Sequence, residues 1–276
     1  MYFKYDFKVG FKKNIICLFI VAFIVILSGF AFYGQIADEM SAGLEIPRDL
    51  NSMDYFLHTF AGMRPFEIIS DEKFELPITW LLIHMILFYF TGKYPYSEIY
   101  TNHGANVLVK GGSRKKWFLS KWIWCIAEVM VYYLVAYLAI VILCYILQVP
   151  FSLQIKSIEY QNLLTPLYES TSIDVIKVLI LPVISSIAAV SIQLVISLVA
   201  SPVVGFIFMA ILYISSAYYF TPVLIGNFSM LARSSIFCID GLPINQTIGI
   251  SIVISIASLC SGMWIFSKKD ILEKKY

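Results

Sequence analysis

The stretch Val175–Phe220, VIKVLILPVISSIAAVSIQLVISLVASPVVGFIFMAILYISSAYYF, decides the fold because its two apolar runs contain a single charged residue, Lys177. A helix needs about 20 apolar residues to cross a hydrocarbon core about 30 Å thick. Between the runs, Ser201 can cap a new helix and Pro202 can occupy its first turn, where no amide donor is required. The stretch therefore predicts two membrane helices joined by a tight turn.

Similar apolar runs are spread over the whole chain. Of its 276 residues, 59% are hydrophobic and 14% are charged, whereas soluble domains carry about 25% charged residues. This composition excludes an ordinary soluble domain. We predict an all-α polytopic membrane protein, a single transmembrane domain over residues 1–276, with six transmembrane helices at about residues 14–33, 76–92, 122–147, 175–200, 202–220 and 248–267. Pro182 predicts a kink in the fourth helix.

The distribution of cations predicts the orientation of these six spans. With the N-terminus in the cytoplasm, most of the Lys and Arg residues fall on the cytoplasmic side, as the positive-inside rule requires. The first span is too long for a signal peptide. We expect a multi-pass protein of the bacterial cytoplasmic membrane with both termini cytoplasmic. The cytoplasmic cations are Lys4, Lys8, Lys12, Lys13, Lys93, Lys110, Arg114, Lys115, Lys116, Lys121, Lys268, Lys269, Lys274 and Lys275.

Two segments outside the membrane have unusual sequences. The outer segment 34–75 is acidic with some apolar character, which favours a small helical cap. The segment 221–246 is too apolar for a free loop and too interrupted to span the membrane. It predicts an outer re-entrant hairpin between spans 5 and 6, which is tolerated where its backbone is buried in protein. In the last span, small residues at helical spacing predict a packing face: Ser251, Ser255, Ser258 and Gly262.

The basic stretch KGGSRKKWFLSKW, Lys110–Trp122, admits several interpretations. It lacks the spacing of a phosphate-binding Walker loop. It is also too short to present a nucleic-acid-binding surface, so we expect no nucleic acid partner. Its cations and tryptophans fit anchoring at the headgroups of the lipid bilayer. The predicted membrane-surface anchors are Arg114, Lys115, Lys116, Trp117, Lys121 and Trp122.

The segment before it, YSEIYTNHGANVLVK at residues 96–110, resembles a short helix rather than a loop. Ser97 can cap this helix, and Glu98 suits its positively polarised first turn. Gly111 and Gly112 end the helix and form a hinge, after which Ser113 can cap the third span. A short helix hinged to a long membrane helix is suited to transmitting a mechanical push.

The region 97–121 resembles the cytoplasmic connection between spans 2 and 3 in the membrane subunits of type-2 ABC exporters. The matching residues are Glu98, Gly104, the apolar run 107–109, and then Ser113, Arg114, Trp117 and Lys121, although Ala105 replaces the usual Thr after the glycine. The resemblance implies a coupling helix that docks on a separate ATP-binding cassette ATPase subunit. It also implies a second permease copy or a paralogue as partner, with ATP and Mg bound by the ATPase and no cofactor on this chain. The implied coupling residues are Glu98, Ile99, Gly104, Val107 and Leu108.

Polar residues within the spans have two interpretations. Glu128 and Gln193 are candidates for a translocation path, or they are hydrogen-bonded structural groups. His58, His84 and His103 fall in three different segments, and the five cysteines are scattered, so neither a metal site nor a disulfide framework is predicted. Since no catalytic motif occurs either, we do not expect an enzyme.

Together with the resemblance of region 97–121, these observations lead to the hypothesis that the chain is a permease subunit of an ATP-driven ABC exporter. The resemblance favours an amphipathic or antimicrobial peptide, or a drug-like compound, as substrate. A non-transporting membrane sensor or immunity protein that binds a ligand through residues 34–75 is the alternative. A nucleotide-independent channel or an ion exporter is the third hypothesis.

Overall fold

The chain folds as a bundle of helices. The computed structural model describes residues 2–42, 50–66, 74–100, 113–155 and 166–268, of which 79% are helical and none lies in a strand. The helices are α1 (Tyr2–Ser41), α2 (Ser52–Phe60), α3 (Ile78–Tyr100), α4 (Arg114–Ile146), α5 (Ser172–Val199), α6 (Pro202–Tyr218) and α7 (Ile244–Lys268), with 3₁₀ turns at Ile225–Ser229 and Leu231–Arg233.

Four helices in the described part of the chain are long and apolar enough to cross a membrane. They are the Tyr5–Glu39 portion of α1, and α4, α5 and α7. Helix α6 is a shorter apolar helix, and α3 carries Lys93 and Pro95 in its second half. The predicted all-α fold is therefore confirmed, and four helices rather than six meet the criteria of length and hydropathy for crossing a membrane.

Successive long helices run in opposite directions, so the bundle has two distinct ends. The start of α1, the end of α3, the start of α4 and the end of α7 meet at one end, here called the basic end. Helix α2 and the segments 147–155 and 219–243 lie at the other, the distal end. Helix α1 packs along α4, and α5 packs against α7, α6 and α3.

The helix starts follow the chemistry predicted from the sequence. Ser113 accepts a hydrogen bond from the Lys116 amide, and Ser201 accepts one from Val204 with Pro202 in the first turn. Both predicted caps are confirmed. Thr171 and Asn51 also form reciprocal capping boxes with acidic residues three positions on, which satisfy amides at the starts of α5 and α2.

Small residues let α7 approach its neighbours closely. Ser251, Ser255 and Ser258 are buried in α7, which packs against α5 and α4, as expected for a packing face. One turn further on, Gly262 lies against the Phe118 ring of α4, with no room for a side chain between them. The stripe is a helix-packing face.

The outer segment 34–75 contains the last residues of α1, which continues to Ser41, and the separate helix α2. Phe56 and Phe60 pack edge-on against the ring of Tyr137 in α4, with ring centroids 5.2 and 5.6 Å away. Ser52 and Asn51 donate hydrogen bonds to the carbonyls of Ser152 and Gln154. Helix α2 is consequently held at the distal end of the bundle by these contacts.

The segment 221–246, predicted to be a re-entrant hairpin, contains no α-helix before α7 begins at Ile244. It forms the two 3₁₀ turns, and residues 225–234 are all buried. A single bridge joins Ser234 to Leu242, and α7 begins at Ile244, within the predicted hairpin. The predicted burial is observed for residues 225–234, and a re-entrant hairpin within the membrane stays a prediction.

Candidate functional site

Helices α1, α3 and α4 converge at the basic end on one carboxylate. Asp6 of α1 is 1% exposed. It accepts hydrogen bonds from the Tyr94 hydroxyl of α3 at 2.9 Å and the Ser120 hydroxyl of α4 at 2.5 Å. It also forms an ion pair with the ammonium group of Lys121 in α4. We call these four residues the Asp6 cluster.

The environment of Lys121 compensates for the burial of its charge. Its side chain is 2% exposed. Besides Asp6, the ammonium group lies 4.7 Å from the ring centroid of Tyr94 and 5.2 Å from that of Trp117. A buried ion pair is tolerated only when such partners satisfy both charges.

Close packing of aromatic rings surrounds the Asp6 cluster. The rings of Tyr94 and Trp124 lie 4.4 Å apart. Gly10 of α1 abuts both rings, and a β-carbon there would come within 2.7 Å of the Trp124 Cε2 atom. Helix α1 can therefore approach α3 and α4 closely only because residue 10 lacks a side chain.

A second ion pair joins α1 to the last turn of α3. The ammonium group of Lys13 lies 2.9 Å from a carboxylate oxygen of Glu98. The Glu98 side chain is 3% exposed, whereas that of Lys13 is 47% exposed. Glu98 thus holds α3 to α1 immediately before residues 101–112, and its carboxylate points into the protein.

The remaining predicted coupling residues are not part of this description. Gly104, Val107 and Leu108, together with the predicted hinge at Gly111 and Gly112, lie outside the described residues, as does the side chain of Ile99. Their roles stay predictions.

Ser97 does not cap a separate helix, contrary to the sequence prediction. It lies within α3, which continues to Tyr100, and its hydroxyl donates to the carbonyl of Tyr94 at 2.8 Å. The physical reason is tertiary: Tyr94 and Glu98, one helical turn apart, both bond to α1 and hold the chain helical across this point.

The predicted membrane-surface anchors divide into two groups. Lys115 and Lys116 are exposed in the first turn of α4, next to the partly exposed Arg114. Trp117 is 1% exposed and stacks on Phe266 of α7 at 4.9 Å. Trp117 and Lys121 therefore lie inside the bundle rather than at its surface.

Trp122, the last predicted anchor, is half-buried. Its indole nitrogen donates to the Ser191 hydroxyl of α5 at 2.9 Å. Trp122 therefore links α4 to α5, in addition to any contact with headgroups.

Glu128, a candidate for the translocation path, is fully buried in α4. Neither of its carboxylate oxygens has a hydrogen-bond partner among the described residues. The polar side chain that faces it is Asn14 of α1, whose amide donates to the Phe90 carbonyl at 3.3 Å. Glu128 therefore lies between helices of the bundle, and its place in a path stays a prediction.

Gln193, the second path candidate, is engaged in hydrogen bonds within the bundle. Its amide donates to the Phe88 carbonyl of α3 at 2.7 Å. The Thr91 hydroxyl reaches its oxygen at 3.4 Å, and Gly92 packs against it. These bonds fasten α5 to α3, which is the structural alternative considered for this residue.

Arg233 makes a similar set of buried polar interactions at the distal end, as the Asp6 cluster does at the basic end. It was not identified from the sequence. Its side chain is fully buried. It donates to the carbonyls of Met63 at 3.0 Å and Ala217 at 2.7 Å, and to Ser216 and Asn227. Burial lowers the pKa of Arg233 to about 10, so the guanidinium remains charged at neutral pH.

Asp6, Tyr94 and Lys13 were also missed. The signal available for Asp6 was a lone acid in the otherwise basic segment 2–13. Its partners lie 88 to 115 residues away along the chain, and no local pattern reveals such pairs.

No metal or disulfide chemistry emerges from the described part of the chain. Within residues 2–42, 50–66, 74–100, 113–155 and 166–268, no three His, Cys, Asp or Glu side chains group closely enough to hold a metal ion. The five cysteines are free thiols.

Comparison with known proteins adds no assignment: no protein-family model, curated protein or solved structure matches this chain.

Proposed function

We propose that the chain is the permease subunit of an ATP-driven ABC exporter. The observation that carries the proposal is the junction of α1, α3 and α4 at the basic end. A buried ion pair of Asp6 with Lys121 and a partly buried pair of Glu98 with Lys13 join these helices beside residues 101–112. A push on that segment would reach three membrane helices at once.

The proposal includes six spans, with α3 and α6 completing the set of long helices. Helix α3 has 23 residues and α6 has 17, about 34 and 26 Å of helix at 1.5 Å per residue. Both run in the sense that six alternating spans require. The buried distal turns at 225–234 would serve as the outer re-entrant element, since protein surrounds their backbone.

Surface charge supports the proposed orientation. Exposed lysines crowd the basic end, which the positive-inside rule places in the cytoplasm with both termini. The membrane would be the bacterial cytoplasmic membrane. The exposed lysines at this end are Lys8, Lys12, Lys13, Lys93, Lys115, Lys116 and Lys268.

In the proposed mechanism, two permease chains, identical or paralogous, enclose the path, and two ATPase chains bind at the basic end. ATP and Mg are held by the ATPases, whose closure moves the 97–121 region. Helices α1, α3 and α4, which the ion pairs join, then shift against the rest of the bundle and open the path outward. An amphipathic or antimicrobial peptide, or a drug-like compound, is the proposed cargo.

Copurification tests the proposal. The tagged chain, extracted from its native membrane in mild detergent, should bring an ATP-binding subunit with it. Glu98→Lys should greatly reduce that association, because it places a second cation beside Lys13 at the end of α3. Glu75→Lys, a charge reversal at an exposed distal position, should leave it unchanged. A chain that transports without nucleotide, and without a partner ATPase, would refute the proposal.

A further inference from the structure

We infer that the Asp6 cluster is the joint through which α1 follows the movement of the coupling region. The inference rests on the proposed function and deepens it. It assigns a positioning role in transport to Asp6 and Lys121. The predicted coupling residues lie in 97–109, so this role extends the coupling machinery to a different helix.

The position of the Asp6 cluster fits such a joint. Tyr94 lies six residues before Tyr100, where α3 ends, and Lys121 lies seven residues after Arg114, where α4 begins. At 1.5 Å per residue, both are about 10 Å from the ends of the helices that flank residues 101–112. Any displacement of those ends acts directly on the groups that hold Asp6.

The energetics make the joint stiff. Separating one partner of a buried ion pair leaves an uncompensated charge, which is strongly unfavourable. Asp6 is held from two helices at once, by Tyr94 of α3 and by Ser120 and Lys121 of α4. Gly10 adds close contact with the rings of Tyr94 and Trp124. Helices α1, α3 and α4 therefore move as one body at this end.

Helix α1 can carry that movement to the distal end. Its 40 residues make a rod about 60 Å long, twice the thickness of a hydrocarbon core. Near its far end, Phe32 contacts Tyr55 of α2, with ring centroids 5.1 Å apart. Helix α2 is fastened to the segment after α4. A shift at Asp6 is thus relayed to the distal surface.

The alternative is that the Asp6 cluster only holds the fold together. A neutral pair separates the two roles, because replacing both charged partners avoids the isolated buried charge that a single change would create. The test variant is Asp6→Asn combined with Lys121→Met, in which the amide oxygen still accepts from Tyr94 and the methionine fills the volume of the lysine stem. Lys177→Met, at a partly exposed distal position, is the control.

The experiment compares the two variants with wild type in the complete permease–ATPase complex in proteoliposomes. Thermal unfolding, recovery of the ATPase, basal ATP hydrolysis and ATP-driven efflux of a fluorescent amphipathic peptide are measured. We expect the neutral pair to unfold like wild type, retain the ATPase and hydrolyse ATP, with efflux per ATP reduced at least about tenfold. Lys177→Met should match wild type throughout.

Full efflux by the neutral pair at wild-type stability would overturn the inference while leaving the proposed function intact. Tyr94→Phe provides a second readout if the neutral pair folds poorly. It removes one hydroxyl from the joint and should lower efflux per ATP without reducing recovery of the ATPase; unchanged efflux would contradict the joint. A wild-type chain that carries no ATPase would instead refute the proposed function, and the joint with it.

Discussion

Arg233 connects three parts of the distal end through one side chain. Its guanidinium donates to carbonyls in the segment after α2 and at the end of α6, and to Asn227 in the first 3₁₀ turn. Arginine suits this position because its planar group offers five donors in fixed directions. A lysine would supply fewer donors.

Replacing Arg233 should be strongly destabilising. Arg233→Ala removes a group that satisfies several buried carbonyls, so we expect a loss of about 3 kcal/mol or more in the free energy of unfolding. Thermal unfolding in detergent micelles measures it. The exposed Arg64, changed to Ala, is the matched control and should be nearly neutral. Equal melting temperatures for the two variants would contradict the bonding described for Arg233.

Replacing Glu128, unlike replacing Arg233, should not destabilise the protein. Its carboxylate has no hydrogen-bond partner among the described residues, so Glu128→Gln removes the cost of burying a carboxyl group and breaks no bond that the structure shows. We expect unchanged or higher thermal stability, by up to about 2 kcal/mol. Preserved efflux in the same variant would assign Glu128 to packing, whereas a loss of efflux at wild-type stability would assign it to the path.

His58 should make the distal end sensitive to acid. The ring stacks on Phe32 at a centroid distance of 4.4 Å, and burial lowers the pKa of His58 to about 4, from 6.5 in an exposed chain. The folded state therefore binds fewer protons than the unfolded state between these values. The stabilisation is complete above pH 6.5 and is lost as the pH falls toward 4.

The predicted size of that loss is roughly 2 kcal/mol between pH 7 and pH 5. His58→Phe keeps an aromatic ring on Phe32 and removes the titrating group. Melting curves at the two pH values should consequently differ less for this variant than for wild type. Equal differences would show that His58 does not titrate across this range.

Residue chemistry explains which single positions could be predicted from sequence. The caps Ser113 and Ser201 were predictable because a cap bonds to amides two or three positions away. Asp6 and Arg233 were not, because their partners are distant in sequence. Lys121 was assigned to the headgroups for the same reason: its charge was visible, but its counter-charge 115 residues earlier was not.

The packing face of α7 can be tested with two glycines of the same helix. Gly262 meets the Phe118 ring, whereas nothing lies within 4 Å of the position a β-carbon would take at Gly249. Gly262→Ala should therefore cost about 1 to 3 kcal/mol through overpacking, and Gly249→Ala should be neutral or gain up to about 1 kcal/mol in helix propensity. The melting temperatures of the two variants, measured by thermal unfolding, test this packing. An unchanged melting temperature for Gly262→Ala would show that α7 does not pack against Phe118 as described.

Hydropathy located the helices but not their ends. Residues 2–13 and 114–121 belong to α1 and α4 although they contain many charges. Those residues are held helical by contacts between elements, which a scan for apolar runs does not detect. The same limit hid the continuation of α3 through Glu98.

The outer segment illustrates how an element changes the choice between hypotheses. Deletion of most of residues 34–75 would in principle separate the two hypotheses, because a sensor would lose its response and a permease would retain ATP-coupled flux. Helix α2 packs into the distal end through Phe56 and Phe60, so that deletion would damage the bundle under either hypothesis. Substitutions at exposed positions of the segment, such as Glu75, give a cleaner comparison.

Over the whole molecule, ion pairs and hydrogen bonds connect the helices at both ends of the bundle. The Asp6 cluster and the Lys13–Glu98 pair join α1, α3 and α4 at the basic end, and Arg233 joins the segments at the distal end. Membrane class and helical fold were predictable from composition, because the bilayer imposes length and hydropathy on each span. The arrangement of these polar interactions could not be predicted from composition, because it depends on which helices become neighbours.

ATP dependence of transport tests the central proposal most directly. The chain, purified with the subunits that accompany it and reconstituted in proteoliposomes, should move a fluorescent amphipathic peptide only when ATP and Mg are supplied on the side of the basic end. Vanadate, which traps ABC ATPases, should stop that movement. Transport that proceeds equally without nucleotide, or a purified complex that contains no ATP-binding chain, would contradict the account.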